Sequence, residues 1–175
     1  MRIPSHQIRA RFDAETIVVY QAFNHAIVDA ALAAQRFVPP FSYGRMTWVK
    51  PSFLWMMERC GWATKPNQER VVAVHVKRAA FDAAVAAAVS TSLGGVQADL
   101  RVQWDPERSL RGGKLEHRSL QLGLGRGVAK QYATEWIARL DDVTPLVHRI
   151  AALRSEGAWD HAERLLPRER VYPAG

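Results

Sequence analysis

Two kinds of hydrophobic pattern alternate along this chain: runs of β-branched residues, and stretches with helical period. Thr16-Ile17-Val18-Val19-Tyr20, bounded by Glu15 and Gln21, has no polar interior position apart from its first residue and predicts a buried strand. Arg70-Val71-Val72-Ala73-Val74-His75-Val76-Lys77 predicts a second, central strand. His75 has no histidine or cysteine at ligand spacing, so it reads as a packed or hydrogen-bonded side chain. Asp99-Leu100-Arg101-Val102-Gln103-Trp104 alternates strictly, the pattern of a strand with one solvated face, and Ser119 to Leu124 predicts another strand.

Between these runs the period changes to 3.6. Asn24 is placed to cap a helix carrying Ile27, Val28, Ala31 and Leu32, ending near Gln35. An alanine-rich helix is predicted over 79–90, followed by Ser92-Leu93-Gly94-Gly95 as a turn or hinge. A short helix is predicted over 128–132, while Trp136 to Leu140 fits strand and helix equally. Thr144 is placed as a cap with Pro145 at the first helical position, and Asp141-Asp142 is explained by that helix start before any acid/base role. Leu146, Val147, Ile150 and Leu153 would face inward, and Arg168-Glu169-Arg170 reads as a basic tail after Pro167. The expected fold is therefore α+β, with a mixed, mostly antiparallel sheet and helices packed on it.

The segment Gly44 to Trp62 carries the densest chemistry. Arg45 to Val49 alternates as a strand, Pro51 suits the first turn of a helix, and Gly61 is the expected left-handed stop. Phe53, Met56, Met57 and Cys60 share an apolar helix face; Ser52, Trp55 and Arg59 share the adjoining one. Free N–H groups at this helix start, beside Lys50, would form an anion seat. Tyr20 and Gln21 stand where a strand gives way to a helix, a common place for ligand contacts.

Composition sharpens this picture. The 175 residues carry 24 Lys and Arg against 17 Asp and Glu, for a formal net charge of +7. The excess favours polyanionic partners: nucleic acid or a phosphate-bearing ligand. Residues 1–13 read as a basic N-terminal arm, with Arg9 and Arg11 leading into the first strand. Asp105-Pro106 is expected to break the preceding strand, leaving 105–118 as a basic loop in which Arg108, Arg111, Lys114 and Arg118 follow a nucleic-acid backbone. A length of 175 residues fits one domain over 1–175. A single cysteine excludes an internal disulfide, and scattered histidines argue against a metal site. The N-terminus lacks the apolar core of a signal peptide, and no apolar run approaches the length of a membrane span, so a cytoplasmic location is expected. Gly123-Leu124-Gly125-Arg126-Gly127 is neither a Walker sequence nor a dinucleotide fingerprint, and reads as a glycine-rich strand exit.

Arg45-Met46-Thr47-Trp48-Val49-Lys50-Pro51-Ser52-Phe53-Leu54-Trp55-Met56-Met57 resembles the signature of DUF family 4291, and the likeness continues through Gly61-Trp62-Ala63, Lys65 and Gln68-Glu69. Ile8-Arg9-Ala10 and Val19-Tyr20-Gln21-Ala22 resemble the family's opening, with Phe12 in place of a usual tyrosine. In layout, the strand-helix units also resemble ADP-ribosyltransferase-like folds. That resemblance implies NAD as cofactor, with Arg9, Tyr20 or Gln21 as its clasp and Thr47, Trp48 and Ser52 at the nicotinamide cradle. Arg45, Lys50 and Trp55 would complete the cofactor contacts. A catalytic glutamate is implied, with Glu69, Glu116 and Glu135 all possible; Glu135 and Glu69, together with Ser52, are the expected catalytic residues. The alternative is a non-enzymatic binder of nucleotide or nucleic acid, in which Trp48, Trp55 and Trp62 stack on bases while Arg45, Lys50 and Arg59 hold phosphates.

Overall fold

A computed structural model describes residues 5–93 and 97–173. Its centre is a three-stranded antiparallel sheet of order β2-β4-β8, comprising β2 (Thr16–Phe23), β4 (Arg70–Lys77) and β8 (Ile137–Asp142). Successive residues of a strand point to opposite faces, and both faces of this sheet are covered. Ile17, Val19, Val72, Val74 and Val76 belong to one core, whereas Val18, Tyr20, Val71 and Ala73 belong to another. Two-sided burial is why β2 and β4 read as nearly unbroken apolar runs. The segment left open between strand and helix resolves as the edge strand β8.

The second core lies beneath α2 (Phe53–Cys60), α5 (Thr144–Ser155) and α6 (Trp159–Leu165). α1 (His25–Ala34) and α3 (Arg78–Ala87) help cover the other face. Asn24 Oδ1 accepts from the Ile27 N–H at 3.0 Å, as the capping pattern predicts. Helix α5 differs from expectation at its start. Asp142 accepts the Thr144 N–H at 3.0 Å, and the Thr144 hydroxyl accepts from the Val71 N–H at 2.9 Å. Thr144 thus ties the helix to β4 instead of capping it.

A four-stranded sheet of order β3-β7-β6-β5 packs alongside, formed by β3 (Thr47–Val49), β7 (Lys114–Leu124), β6 (Leu100–Arg108) and the short β5 (Val89–Ser90). Here the expected basic loop is corrected. Asp105 and Pro106 stay in the ladder opposite Ser119 and Arg118, so Arg108, Lys114 and Arg118 sit on strands of a hairpin, and only residues 109–113 turn. Pro106 is tolerated because β5 pairs only with Arg101 and Val102, leaving the outer side of β6 without a partner strand where the proline N–H is missing. The alanine-rich helix spans Arg78–Ala87 and is followed by β5; Gly94 and Gly95 lie outside the described residues.

The N-terminal arm is also more ordered than its charge suggests. β1 (Arg9–Ala10) pairs with β9 (Arg170–Val171), Ile8 and Ala10 are buried, and the Tyr172 N–H donates to the Ile8 carbonyl at 2.7 Å. The residues read as a basic tail therefore form a strap back across the arm. The two larger sheets meet at a bridge in which the Tyr20 N–H donates to the Lys50 carbonyl at 2.8 Å and the Lys50 N–H returns to the Tyr20 carbonyl at 3.3 Å. That bridge fixes Lys50 at the sheet junction. No helix among the described residues is long and apolar enough to cross a membrane.

Candidate functional site

Local sequence explains how α2 is set. Pro51 precedes the helix and does not start it; Ser52 is the N-cap, its Oγ accepting from the Trp55 N–H at 3.1 Å. Gly61 closes the helix in the left-handed region at φ 59°, where a side chain would be strained. Phe53, Met56, Met57 and Cys60 are all buried, matching the predicted apolar face.

The expected anion seat at this helix start is already filled. Glu169, carried there by the C-terminal strap, accepts the Phe53 N–H at 2.8 Å. The Ser52 hydroxyl donates to Glu107 Oε1 at 2.8 Å, and the same oxygen accepts the Arg108 N–H at 2.9 Å. Burial, then the nearby Glu107 carboxylate, pushes the Glu169 carboxyl up to about 8 against the opposing Phe53 hydrogen bond. Neither glutamate was a candidate from sequence. Glu107 follows a proline whose local signal is a strand break, and Glu169 lies between two arginines in a run of basic character.

A cleft of about 550 Å³ opens on the other side of α2, where the end of β2, the 40–48 segment, α2 and residues 66–68 converge. Gln21, Arg45, Thr47, Trp48 and Lys50 all line it, together with Met56 and Arg59. Lys50 is the unusual member. The residue is 5% exposed, and its ammonium has neither hydrogen bond nor ion pair among the described residues. Burial, and then the Arg59 charge, lower its pKa to about 8. No Asp or Glu is among the described residues lining this cleft.

Trp48 forms one wall. It pairs with Gly123 across β3 and β7, and a Cβ at Gly123 would lie 2.9 Å from two atoms of the indole. Gly123 is therefore the seat of Trp48. The rest of the glycine-rich exit serves packing as well: a Cβ at Gly125 would fall 2.8 Å from Asp99 Oδ1. Gln21 and Thr47 hold the wall from within. Gln21 Nε2 donates to Thr47 Oγ1 at 2.7 Å and to the Trp48 carbonyl at 3.1 Å, and Gln21 Oε1 accepts from the Tyr132 hydroxyl at 2.6 Å. Tyr132 opens the one-turn π-helix Tyr132–Trp136 that follows α4 (Arg126–Gln131). Nothing local in the sequence connects it to Gln21.

Several sequence candidates fall outside the cleft. Tyr20 faces the opposite side of β2, edge-on to Phe53 with ring centroids 5.3 Å apart. Arg9 is on β1, its Nε donating to Gln7 Oε1 at 3.1 Å. Trp55 lies under the Arg108 guanidinium at 5.7 Å, and Trp62 under Arg154 at 4.3 Å. The hairpin cations are similarly engaged: Arg108 also pairs with Glu58 at 3.4 Å, Arg111 covers Trp159 at 4.5 Å, and Arg118 Nη1 donates to the Trp104 carbonyl at 3.2 Å. Lys114 is exposed at the start of β7. Glu135 is exposed in the π-helical turn, where its carbonyl accepts from Lys77 Nζ at 2.9 Å. Glu69 sits beside the cleft residue Gln68; one of its oxygens accepts the Asn67 N–H at 3.0 Å, and the other is buried with no partner. His75, read as hydrogen-bonded, has Nε2 2.8 Å from Asp141 Oδ2.

Fold and site together define a single α+β domain with an open, cation-lined cleft at the junction of two sheets. The chain belongs to the family described as domain of unknown function DUF4291, whose profile matches residues 7–172. Comparison with curated proteins gave no match.

Proposed function

We propose that the cleft binds a phosphate-bearing ligand of the nucleotide class. The observation that carries this reading is Lys50: a residue only 5% exposed, on the wall of an open cleft, whose ammonium has no counter-charge in contact among the described residues. Leaving a buried ammonium uncompensated is costly, and an anion entering the cleft supplies the missing partner. Arg45 and Arg59, both exposed, stand at the cleft to share the phosphate charge, and the Trp48 indole offers a planar surface to a base. The test is titration of the protein with ADP and with NAD, following Trp fluorescence at two salt concentrations. Affinity should fall with salt and be lost in Lys50→Ala; salt-independent binding, or binding unaffected by that substitution, overturns the reading.

A second reading, NAD-dependent transfer of ADP-ribose, is supported by Glu69. It follows the cleft residues Asn67 and Gln68 in the chain, its Oε2 accepts the Asn67 N–H, and its Oε1 has no partner among the described residues. In this reaction the glycosidic bond of NAD breaks with nicotinamide leaving as the neutral base. The carboxylate steadies the ribosyl cation until a nucleophile adds and loses its proton. Incubation with NAD, with release of nicotinamide as the readout, tests it against Glu69→Gln. No release by the wild type in the presence of protein and nucleic-acid acceptors sinks it.

A further inference from the structure

A second, shallower groove of about 380 Å³ adjoins the cleft and shares Met46 with it. Arg101 and Arg126 line this groove. Arg101 is anchored by its Nε donating to the Ala98 carbonyl at 3.2 Å, and Arg126 is exposed at the start of α4. The groove also holds one carboxylate, the exposed Asp99, whose oxygens lie 2.8 and 3.1 Å from where a Cβ would stand at Gly125 and Gly127, so the two arginines outnumber it. Cations therefore run along one surface: Lys50 and Arg59 at the cleft, Arg45 beside Met46, then Arg101 and Arg126 beyond it. A free nucleotide would be satisfied within the first cleft and would have no use for the second set. The hairpin cations Arg108, Arg111 and Arg118 do not extend this path, because each is held by a Trp ring, a carboxylate or a carbonyl of the protein itself.

We infer that the ligand is a single nucleic-acid strand, one nucleotide of which enters the cleft while the phosphates that follow pass Met46 toward Arg101 and Arg126. The inference rests on the nucleotide-binding reading of the cleft and names its substrate class. A cleft of about 550 Å³ admits one unpaired base beside Trp48, so the strand must be single there. Spaced cations outside it then follow the backbone without reading sequence.

The experiment is fluorescence anisotropy with labelled oligonucleotides of mixed sequence, as DNA and as RNA, in competition with AMP and with a blunt duplex. Oligonucleotides should bind at least tenfold more tightly than AMP, and the duplex should compete poorly. The double substitution Arg101→Glu/Arg126→Glu should weaken strand binding tenfold or more. It should also lower the salt dependence by about 1.4 in the log–log slope, the value for two lost phosphate contacts on a single strand, and leave AMP binding unchanged. The control Lys114→Glu/Arg149→Glu changes net charge equally at exposed positions away from the path and should leave strand affinity nearly intact. Equal affinity for AMP and oligonucleotide, effective competition by duplex, or equal losses in both double variants overturns the inference while the cleft reading stands. Unaltered binding of AMP and strand alike in Lys50→Ala brings down the cleft reading itself. A preference for RNA or DNA assigns the strand's sugar.

Discussion

Substituting Lys50 by methionine separates stability from binding. Methionine keeps the length and apolar stem of lysine but carries no charge. In the folded protein the ammonium is penalised by burial and by Arg59, which lowers its pKa from 10.5 to about 8. A lowered lysine pKa means that the folded state binds the proton less well than the unfolded chain. The penalty is fully present below pH 8 and fades as pH rises from about 8 to 10.5. At about 1.4 kcal/mol for each tenfold difference in proton affinity, the drop is worth roughly 3 kcal/mol at pH 7. Lys50→Met should therefore be more stable than the wild type by about 2–3 kcal/mol at pH 7 in urea denaturation, and the pH-dependent part of that gain should vanish near pH 10.5. The same variant should lose nucleotide binding. A stabilising substitution that abolishes binding is the behaviour of a group kept for a ligand. A destabilised variant, or a gain equal at both pH values, would refute the argument by showing that Lys50 is compensated within the fold.

Three further outcomes follow from the packing. Glu169 has a raised pKa, so the folded state favours its protonated form, and its contribution to stability is greatest below about pH 4.5 and declines as pH climbs to about 8. Glu169→Gln should abolish that decline in a series of urea midpoints between pH 4 and 8.5; a wild type that gains stability relative to the variant as pH rises would mean that α2 holds the carboxylate ionised. Gly123→Ala places a methyl 2.9 Å from the Trp48 indole and should cost about 1–3 kcal/mol, with a shifted Trp emission spectrum and weaker nucleotide binding. An unchanged spectrum and affinity would show that the ring is not seated on Gly123. Trp55→Ala removes the ring under Arg108 and should lower stability by about 1–3 kcal/mol while nucleotide affinity, measured calorimetrically, stays the same. Lost affinity at full stability would extend the site to the far side of α2.

Sequence periodicity alone determined the elements of this fold whose burial is written locally. The two-sided strands β2 and β4, the Asn24 cap, the apolar face of α2 and its Gly61 stop are all visible in residue spacing, because each is set by interactions within a few positions. The same is true of half of the cleft. Arg45, Thr47, Trp48 and Lys50 are neighbours in the chain, so their convergence required only a strand leading into a helix. Composition supplied the expectation of a polyanionic ligand, since charge is a sum and needs no geometry.

Long-range pairing decided the remainder. The Trp and Arg residues that looked free for bases are matched with one another across more than 40 positions, as in Trp55 with Arg108 and Trp62 with Arg154, because the hairpin tip folds onto α2, α5 and α6. Pro106 stays within a strand because the outer side of β6 has no partner strand there among the described residues, a fact about sheet order that no local window contains. Glu169 reaches the α2 N-terminus, 116 residues from its hydrogen-bond partner Phe53, because β9 pairs with β1. Lys50 is a buried cation because the Tyr20 bridge draws one sheet against the other; in sequence it is one lysine before a proline.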